Sequence, residues 1–389
     1  MPASLLHRAI PVAFVLMAAI VASAVAGAVS LGGGRALASH VSCGDTITTD
    51  TTLDADLLDC PNNGIVIGAD NITLDLSGHT VSGDGEKFKP CREDEFCDVG
   101  LLNDGHDGVT VRDGSVSRFA IGAFLRKARD NRVLDVSSSR NAFFGFVVAE
   151  SAKSVIRDSS GSNNPAPDGD GLGLFGSHEI RVVDNEFRHN HQPGIHVADG
   201  STDNLIEGNL ITHSGPGISI EKADRNRVRH NRFLGNIAGV IVAPGSKNVI
   251  ARNHFSGDGD GIAIEKGRGN LVKRNVIVDP RNNGIYLGLD NPPIGGVDTV
   301  VRRNVVTGSG DDGFAVRKKE NHSLLKRNVA RRSGDDGFDV ESGSTKLTRN
   351  RATRNADLGI EAVRGMIDGG GNIAGDNGDP RQCVNVGCR

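Results

Sequence analysis

The chain has 389 residues, a formal net charge of −4, 52 glycines, 13 prolines, a single tyrosine and no tryptophan. So much glycine argues against long amphipathic helices and suits short strands joined by tight turns. The mildly acidic balance argues against nucleic acid as a partner.

Residues 1–38 read as an export signal. His7 and Arg8 precede an apolar run from Ile10 to about Leu31, and Ala36-Leu37-Ala38 offers a small-residue cleavage site. The mature chain is expected to begin near Ser39; the rival is an uncleaved N-terminal anchor. No later segment reads as a membrane span. Six cysteines fall into three local couples, Cys43 with Cys60, Cys91 with Cys97 and Cys383 with Cys388. In an exported chain these suggest disulfides, with local pairing favoured, and zinc is the weaker rival because no Cys-x-x-Cys pair is present.

Residues 39–120 are expected to form an N-terminal cap and the first coils, interrupted by a charged surface loop at 84–98. From residue 121 to 365 the sequence repeats. A Gly followed by an apolar-x-apolar triplet recurs from Gly145-Phe146-Val147-Val148 through Gly194-Ile195-His196-Val197 and Gly261-Ile262-Ala263-Ile264 to Gly359, a coil of roughly 22–24 residues. Between triplets lies Asn-x-apolar followed five residues on by another Asn, as at Asn204/Asn209 and Asn270/Asn275. Each coil thus holds three short strands with one apolar side, and no run has helical spacing. The fold class is all-β: a parallel β-helix, single-stranded, capped by a disulfide-tied segment at 366–389. Asn209, Asn231, Asn253, Asn275, Asn304, Asn328 and Asn350 are expected to stack as ladders at turns, where Asn tolerates left-handed geometry. Leu289 to Asp298 lengthens one coil and reads as an ordinary turn insertion in preference to a substrate gate.

These repeats, with the opening Asn71-Ile72-Thr73-Leu74-Asp75-Leu76-Ser77-Gly78-His79, resemble the right-handed β-helix repeat proteins of the pectin-lyase-like superfamily, including NosD-like periplasmic proteins. The resemblance runs from about Cys43 to Cys388. It implies the fold firmly and the chemistry weakly, since members include lyases, hydrolases, epimerases and proteins without known activity.

Strand alternation directs the residues two and four after each Gly outward. They include His196, Glu221, Glu265, Tyr286, Arg317, Asp339 and Glu341. Acids just before the Gly add Asp168, Asp170, Asp258, Asp260 and the repeated pairs Asp311-Asp312 and Asp335-Asp336. The two pairs should lie close enough for like charges to disfavour joint ionisation, so a hard cation such as calcium or a raised pKa is expected, against the plainer reading of solvated Asp-Gly turns. Catalytic candidates are Asp311, Asp312, Asp335, Asp336, His191, His196 and Arg317. Substrate-binding candidates are Glu221, Glu265, Tyr286, Asp339 and Glu341, and candidate metal ligands are Asp168, Asp170, Asp258 and Asp260. A second cluster is expected to join Asp168, Asp170, His189, His191, His196, His213 and Glu221.

Paired acids before a Gly also resemble part of the polygalacturonase pattern, but its Asn-Thr-Asp, Gly-His-Gly and Arg-Ile-Lys elements are absent. The NosD likeness raises copper binding at His189-x-His191, for which few soft donors are present. The expected function is an exported, monomeric protein that binds and modifies an anionic polysaccharide as lyase, epimerase or hydrolase. The competing reading is a non-catalytic cell-wall binding scaffold, and the lesser one a NosD-like role in metal maturation.

Overall fold

The computed structural model describes residues 40–389 except 87–96, 166 and 291. The described residues divide into three parallel sheets wound as one solenoid. The first is a single 15-stranded sheet running from Asp45–Ile47 to Cys383–Val384. The second and third follow in each coil; Leu205–Glu207 and Leu210–Thr212 are one example. Early in the chain Thr110–Ser117 and Arg132–Ser139 run unbroken around the corner these two sheets share, each turning through a left-handed residue, Asp113 or Asp135.

Register explains the repeat. Ile195, Val197 and their successors Ile218, Ile220, Val240 and Val242 pair coil on coil, and all six are fully buried in one core. Phe233 stacks on Phe255 with ring centroids 4.5 Å apart, and Phe314 on Phe338 at 4.6 Å, close to the spacing between paired strands. Each apolar side chain therefore meets its counterpart on the next coil. The glycines that open the first-sheet strands sit where another backbone passes: a Cβ on Gly217 would lie 2.6 Å from the Gly239 carbonyl oxygen.

The expected asparagine ladder is present and longer than expected. Asn185, Asn209, Asn231, Asn253, Asn275, Asn304, Asn328, Asn350 and Asn372 connect coil to coil, and Asn204, Asn226, Asn248 and Asn270 form another at the preceding corner. One rung shows the chemistry. The Asn275 side-chain oxygen accepts from the Asn253 backbone N–H and amide at 3.0 and 3.1 Å, while its own amide donates to the carbonyl of Ile250 at 3.0 Å and to Asn304 at 3.0 Å. Left-handed geometry falls elsewhere than expected. The residue ahead of each ladder Asn carries the positive φ, as at Arg252, Arg274, Arg303, Arg327 and Arg349. Asn is needed here for its two-sided amide, which points in, and the strained residue points out and is free to be long and charged.

Cys43–Cys60 and Cys383–Cys388 are bonded as expected. Cys97 is also disulfide-bonded, whereas Cys91, and with it most of the 84–98 loop, lies outside the described residues, as does the 1–38 signal segment. The C-terminal cap continues the coil: Ile373–Gly375 extends the third sheet and Cys383–Val384 the first. No helix among the described residues is long and apolar enough to cross a membrane.

Replacing Asn275 by Ala removes the acceptor of the Asn253 backbone N–H and one donor each from the Ile250 carbonyl and the Asn304 oxygen inside the wall. A loss of at least about 2 kcal/mol is expected, read as a lower urea midpoint, against a change within about 0.5 kcal/mol for the exposed Asn282→Ala.

Candidate functional site

The outward column of the first sheet changes character along the axis. Register aligns Val66, Leu102, Phe124, Val147 and Gly173 through the early coils, an apolar stretch against which Phe144 and Phe175 pack. From there the column reads His196, Ser219, Ile241, Ala263, Tyr286, Ala315, Asp339 and Glu361. Polar groups gather at two places, separated by the Ile241 and Ala263 saddle.

His196 anchors the first. Its Nδ1 lies 3.3 Å from an Asp170 carboxylate oxygen and its Nε2 3.6 Å from Glu221, whose carboxylate accepts a 2.9 Å hydrogen bond from Ser219. Phe175 meets the imidazole edge-on at 5.5 Å. Burial disfavours the imidazolium, but the two flanking carboxylates outweigh it and raise the His196 pKa, so the ring is held protonated. Burial pushes Asp170 up to about 6 against the opposing pull of His196. The expected larger cluster divides. His189 and His213 stack on each other at 5.1 Å, both at positive φ; His191 is exposed, its Nδ1 3.2 Å from the Pro167 carbonyl. Asp168 is exposed beside Asp170.

The second place centres on Arg317, whose side chain is only 13% exposed. The guanidinium lies 2.6 Å from Asp339, 3.2 Å from Glu341, 3.1 Å from Asp290 and 4.0 Å from Asp312. It sits over the Tyr286 ring at 5.2 Å, and the Tyr286 hydroxyl donates to Asp290 at 3.3 Å. Ala315, fully buried between Tyr286 and Asp339 in the column, is small enough to leave room for the guanidinium above it. Despite burial, Tyr286, Asp339 and Asp290 together keep Arg317 cationic.

The Asp-Asp-Gly repeats deliver four acids to this end. Carboxylate oxygens of Asp311, Asp312 and Asp335 lie within 4.8 Å of one another, as do those of Asp335, Asp336 and Asp357. Burial, then Asp339 and Asp311, pushes Asp312 up to about 8. Burial, then Asp335, Glu361 and Asp357, pushes Asp336 up to about 7. Asp339 rises to about 6, chiefly through burial and against the pull of Arg317.

Asp258 and Asp260 stand apart from Asp168 and Asp170 and share no common point with them. Asp258 terminates an amide ladder, one oxygen accepting from the Asn236 backbone and side chain at 2.9 and 2.8 Å. Asp260 receives Asn283 in the same way at 2.9 and 3.1 Å, and feels Asp311 and Arg317. Glu265 lies half-buried at its outward position. Asp290 escaped the sequence reading. It is carried in by the Leu289–Asp298 insertion, which folds as a small antiparallel hairpin with Leu289 paired to Ile294; its nearness to Tyr286 in the chain was the available signal.

A family model described as "Right handed beta helix region" matches residues 49–204 and 170–297. One described as "Periplasmic copper-binding protein (NosD)" matches residues 259–369. That segment holds one histidine, His322, one methionine, Met366, and no cysteine, and its clustered donors are carboxylates, which suit a hard cation and not copper. A search of curated proteins gives no match. Among solved structures, the A-module of mannuronan C-5 epimerase AlgE6 from Azotobacter vinelandii is 15% identical with a TM-score of 0.51, over 85% of this chain and 88% of that one. The catalytic domain of a GH87 alpha-1,3-glucanase in complex with nigerose is 15% identical with a TM-score of 0.54, over 72% of this chain and 63% of that one. Such identities speak for the fold alone. With its stacked parallel sheets, its glycine and asparagine periods and a family match spanning well over half its length, the chain belongs to the right-handed β-helix family.

Proposed function

We propose that this is an exported protein that lays a polysaccharide along the outer face of the first sheet and modifies it by general acid–base chemistry at the Asp312–Arg317 end. The observation that carries the reading is the convergence of Asp311, Asp312 and Asp335, whose carboxylate oxygens lie within 4.8 Å of one another at the entrance to the outward strands, where burial pushes Asp312 up to about 8. One face thus offers a proton donor and proton acceptors together, the combination that cleaves glycosidic bonds. Asp312 donates to the leaving oxygen while a neighbouring carboxylate, Asp311 or Asp335, bonds to the anomeric carbon. Water deprotonated by the Asp312 carboxylate then hydrolyses that ester, the course that carboxyl groups this close favour. Arg317 with Tyr286 positions the sugar. The Arg317 charge is already met by Asp290, Asp339 and Glu341, so it is poorly placed to neutralise a uronate carboxylate. This favours hydrolysis over proton abstraction next to such a carboxylate by a lyase or epimerase. Neighbours of the same fold, an epimerase and a glucanase, are in keeping with a glycan substrate.

The expected outcome is new reducing ends on one member of a panel of alginate, pectate, hyaluronan-type polymer and alpha-glucan, without ultraviolet-absorbing unsaturated product. Asp312→Asn should lower the rate by at least ~100-fold with an unchanged melting curve at pH 6. Unsaturated product, or undiminished activity in Asp312→Asn, refutes the assignment.

A second reading is favoured by the Asp311, Asp312 and Asp335 oxygens, which converge as three of the six to eight donors calcium takes. Bound calcium would draw Asp312 back to its ionised form and bridge the acidic face to an anionic sugar. Millimolar calcium should then raise the melting temperature of the wild type and leave the Asp311→Asn/Asp335→Asn double variant unmoved.

Asp312 also sets a pH dependence. Its carboxyl ionises near 8 when folded and about 4 when unfolded. Between those values the folded state holds a proton the unfolded chain has released, so stability is greatest at the acid side and falls as pH rises through the window. Asp336, raised to about 7, acts in the same direction. The melting temperature should fall from about pH 5 to about pH 8, and Asp312→Asn should flatten that slope.

A further inference from the structure

The corner between the second and third sheets lies opposite the first sheet; its left-handed residues are acidic in the early coils, Asp113, Asp135, Asp158 and Asp184, and the charge reverses in the later ones. Its left-handed residue on five successive coils is Arg252, Arg274, Arg303, Arg327 and Arg349, all exposed. The backbone fixes their file: the N–H of Arg252 donates to the carbonyl of Lys273, that of Arg274 to Arg302, that of Arg303 to Lys326 and that of Arg327 to Thr348. Those acceptors add Lys273, Arg302 and Lys326, each immediately preceding an arginine of the file. None of these eight cations lies within 4.0 Å of a carboxylate among the described residues. Several cations elsewhere do pair, Arg225 with Asp203, Arg229 with Glu207 and Arg268 with Asp298, whereas eight in one file do not. Burial together with Arg302, Arg274 and Arg252 lowers the pKa of Lys273, as repulsion along an unneutralised row requires. Five rungs span four intervals of about 4.8 Å, or about 19 Å.

From this geometry we propose that the ridge is a docking track for a linear acidic polysaccharide, separate from the chemistry on the first sheet. Three features select that partner. The cations run in single file at rung pitch, which fits a chain bearing one anionic group per sugar and fits a planar membrane poorly. Arginine forks suit carboxylate and sulfate oxygens. Outward apolar residues flank the file, Leu271, Val300 and Leu324 on the second sheet and Val276, Val305 and Val329 on the third, and offer contact to the C–H faces of sugar rings. The track also separates roles: the chemistry stays on the first sheet, while the opposite ridge retains the protein on a polyanion. Retention on a matrix polymer raises the local concentration of every other glycan in it.

The test uses the full purified chain and fluorescein-labelled polygalacturonate, with a sulfated dextran as the second anion source, titrated at increasing sodium chloride. The ridge variant is Arg274→Asn/Arg303→Asn/Arg327→Asn, chosen because Asn accepts positive φ and keeps the backbone. A matched variant, Lys127→Asn/Arg140→Asn/Lys153→Asn, removes three exposed cations at positive φ from the early coils. The expected result is at least a tenfold loss of affinity in the ridge variant and none in the matched one. The slope of log affinity on log salt should shrink by about two to three in the ridge variant, by analogy with the counterions released per contact on nucleic acids. Unequal affinity for the two probes identifies the preferred anion and supports the track. Equal affinity of ridge variant and wild type, equal losses in both variants, binding of neutral dextran as tight as of polygalacturonate, or tighter binding of single-stranded DNA or anionic vesicles would each overturn it.

Discussion

Stacking in register is the constraint on which this molecule depends. Because each coil pairs its backbone with the next, every position in the repeat becomes a column parallel to the axis, and a residue type that suits one rung must suit its neighbours. The inward columns meet this demand with Ile, Val, Leu and Phe. At the corners Asn meets it, since a primary amide can accept from the rung before while donating to the rung after. A buried turn would otherwise leave its polar backbone groups without partners. The ladder lets a narrow prism turn sharply while keeping those groups satisfied.

The same columns that build the wall also concentrate chemistry. A single Asp-Asp-Gly turn would be a solvated surface feature; repeated on adjacent coils, it brings carboxylates within 4.8 Å and makes their protonation interdependent. Burial raises these carboxyls, the neighbouring acids add to the effect, and Arg317 offsets it for Asp339 more than for Asp312. The outcome is a graded set of carboxyls, about 6, 7 and 8, within a few rungs. Column logic on the opposite corner produces an uninterrupted row of cations. One architectural rule therefore yields an acidic face and a basic edge on a chain whose net charge is close to balanced.

Departures from the repeat are where single-residue function enters. The hairpin at Leu289–Ile294 breaks the coil length and places Asp290 against Arg317. Ala315, between Tyr286 and Asp339 in the column, makes room for the same guanidinium. Tyr286 becomes a neighbour of Arg317 because both occupy adjacent rungs.

The sequence by itself determined the coil, the inward and outward faces, the ladder asparagines and the adjacency of the Asp311-Asp312 and Asp335-Asp336 pairs, because each follows from period alone; it favoured the two local disulfides by the closeness of their cysteines, and the structure decided them. Period could not divide the histidine cluster: His189, His191 and His196 lie within eight positions, yet they face a corner, a strand entrance and a sheet. Nor could it show that Asp258 finishes an amide ladder, since Asp and Asn share a shape and the difference is which partner the turn supplies. The left-handed positions fell to the arginines because the ladder amide must point inward, which leaves the preceding residue to absorb the turn. Tertiary structure decided those matters because they depend on side-chain reach across rungs, and on the insertion that carries Asp290 over the face, neither of which is written in the spacing of a repeat.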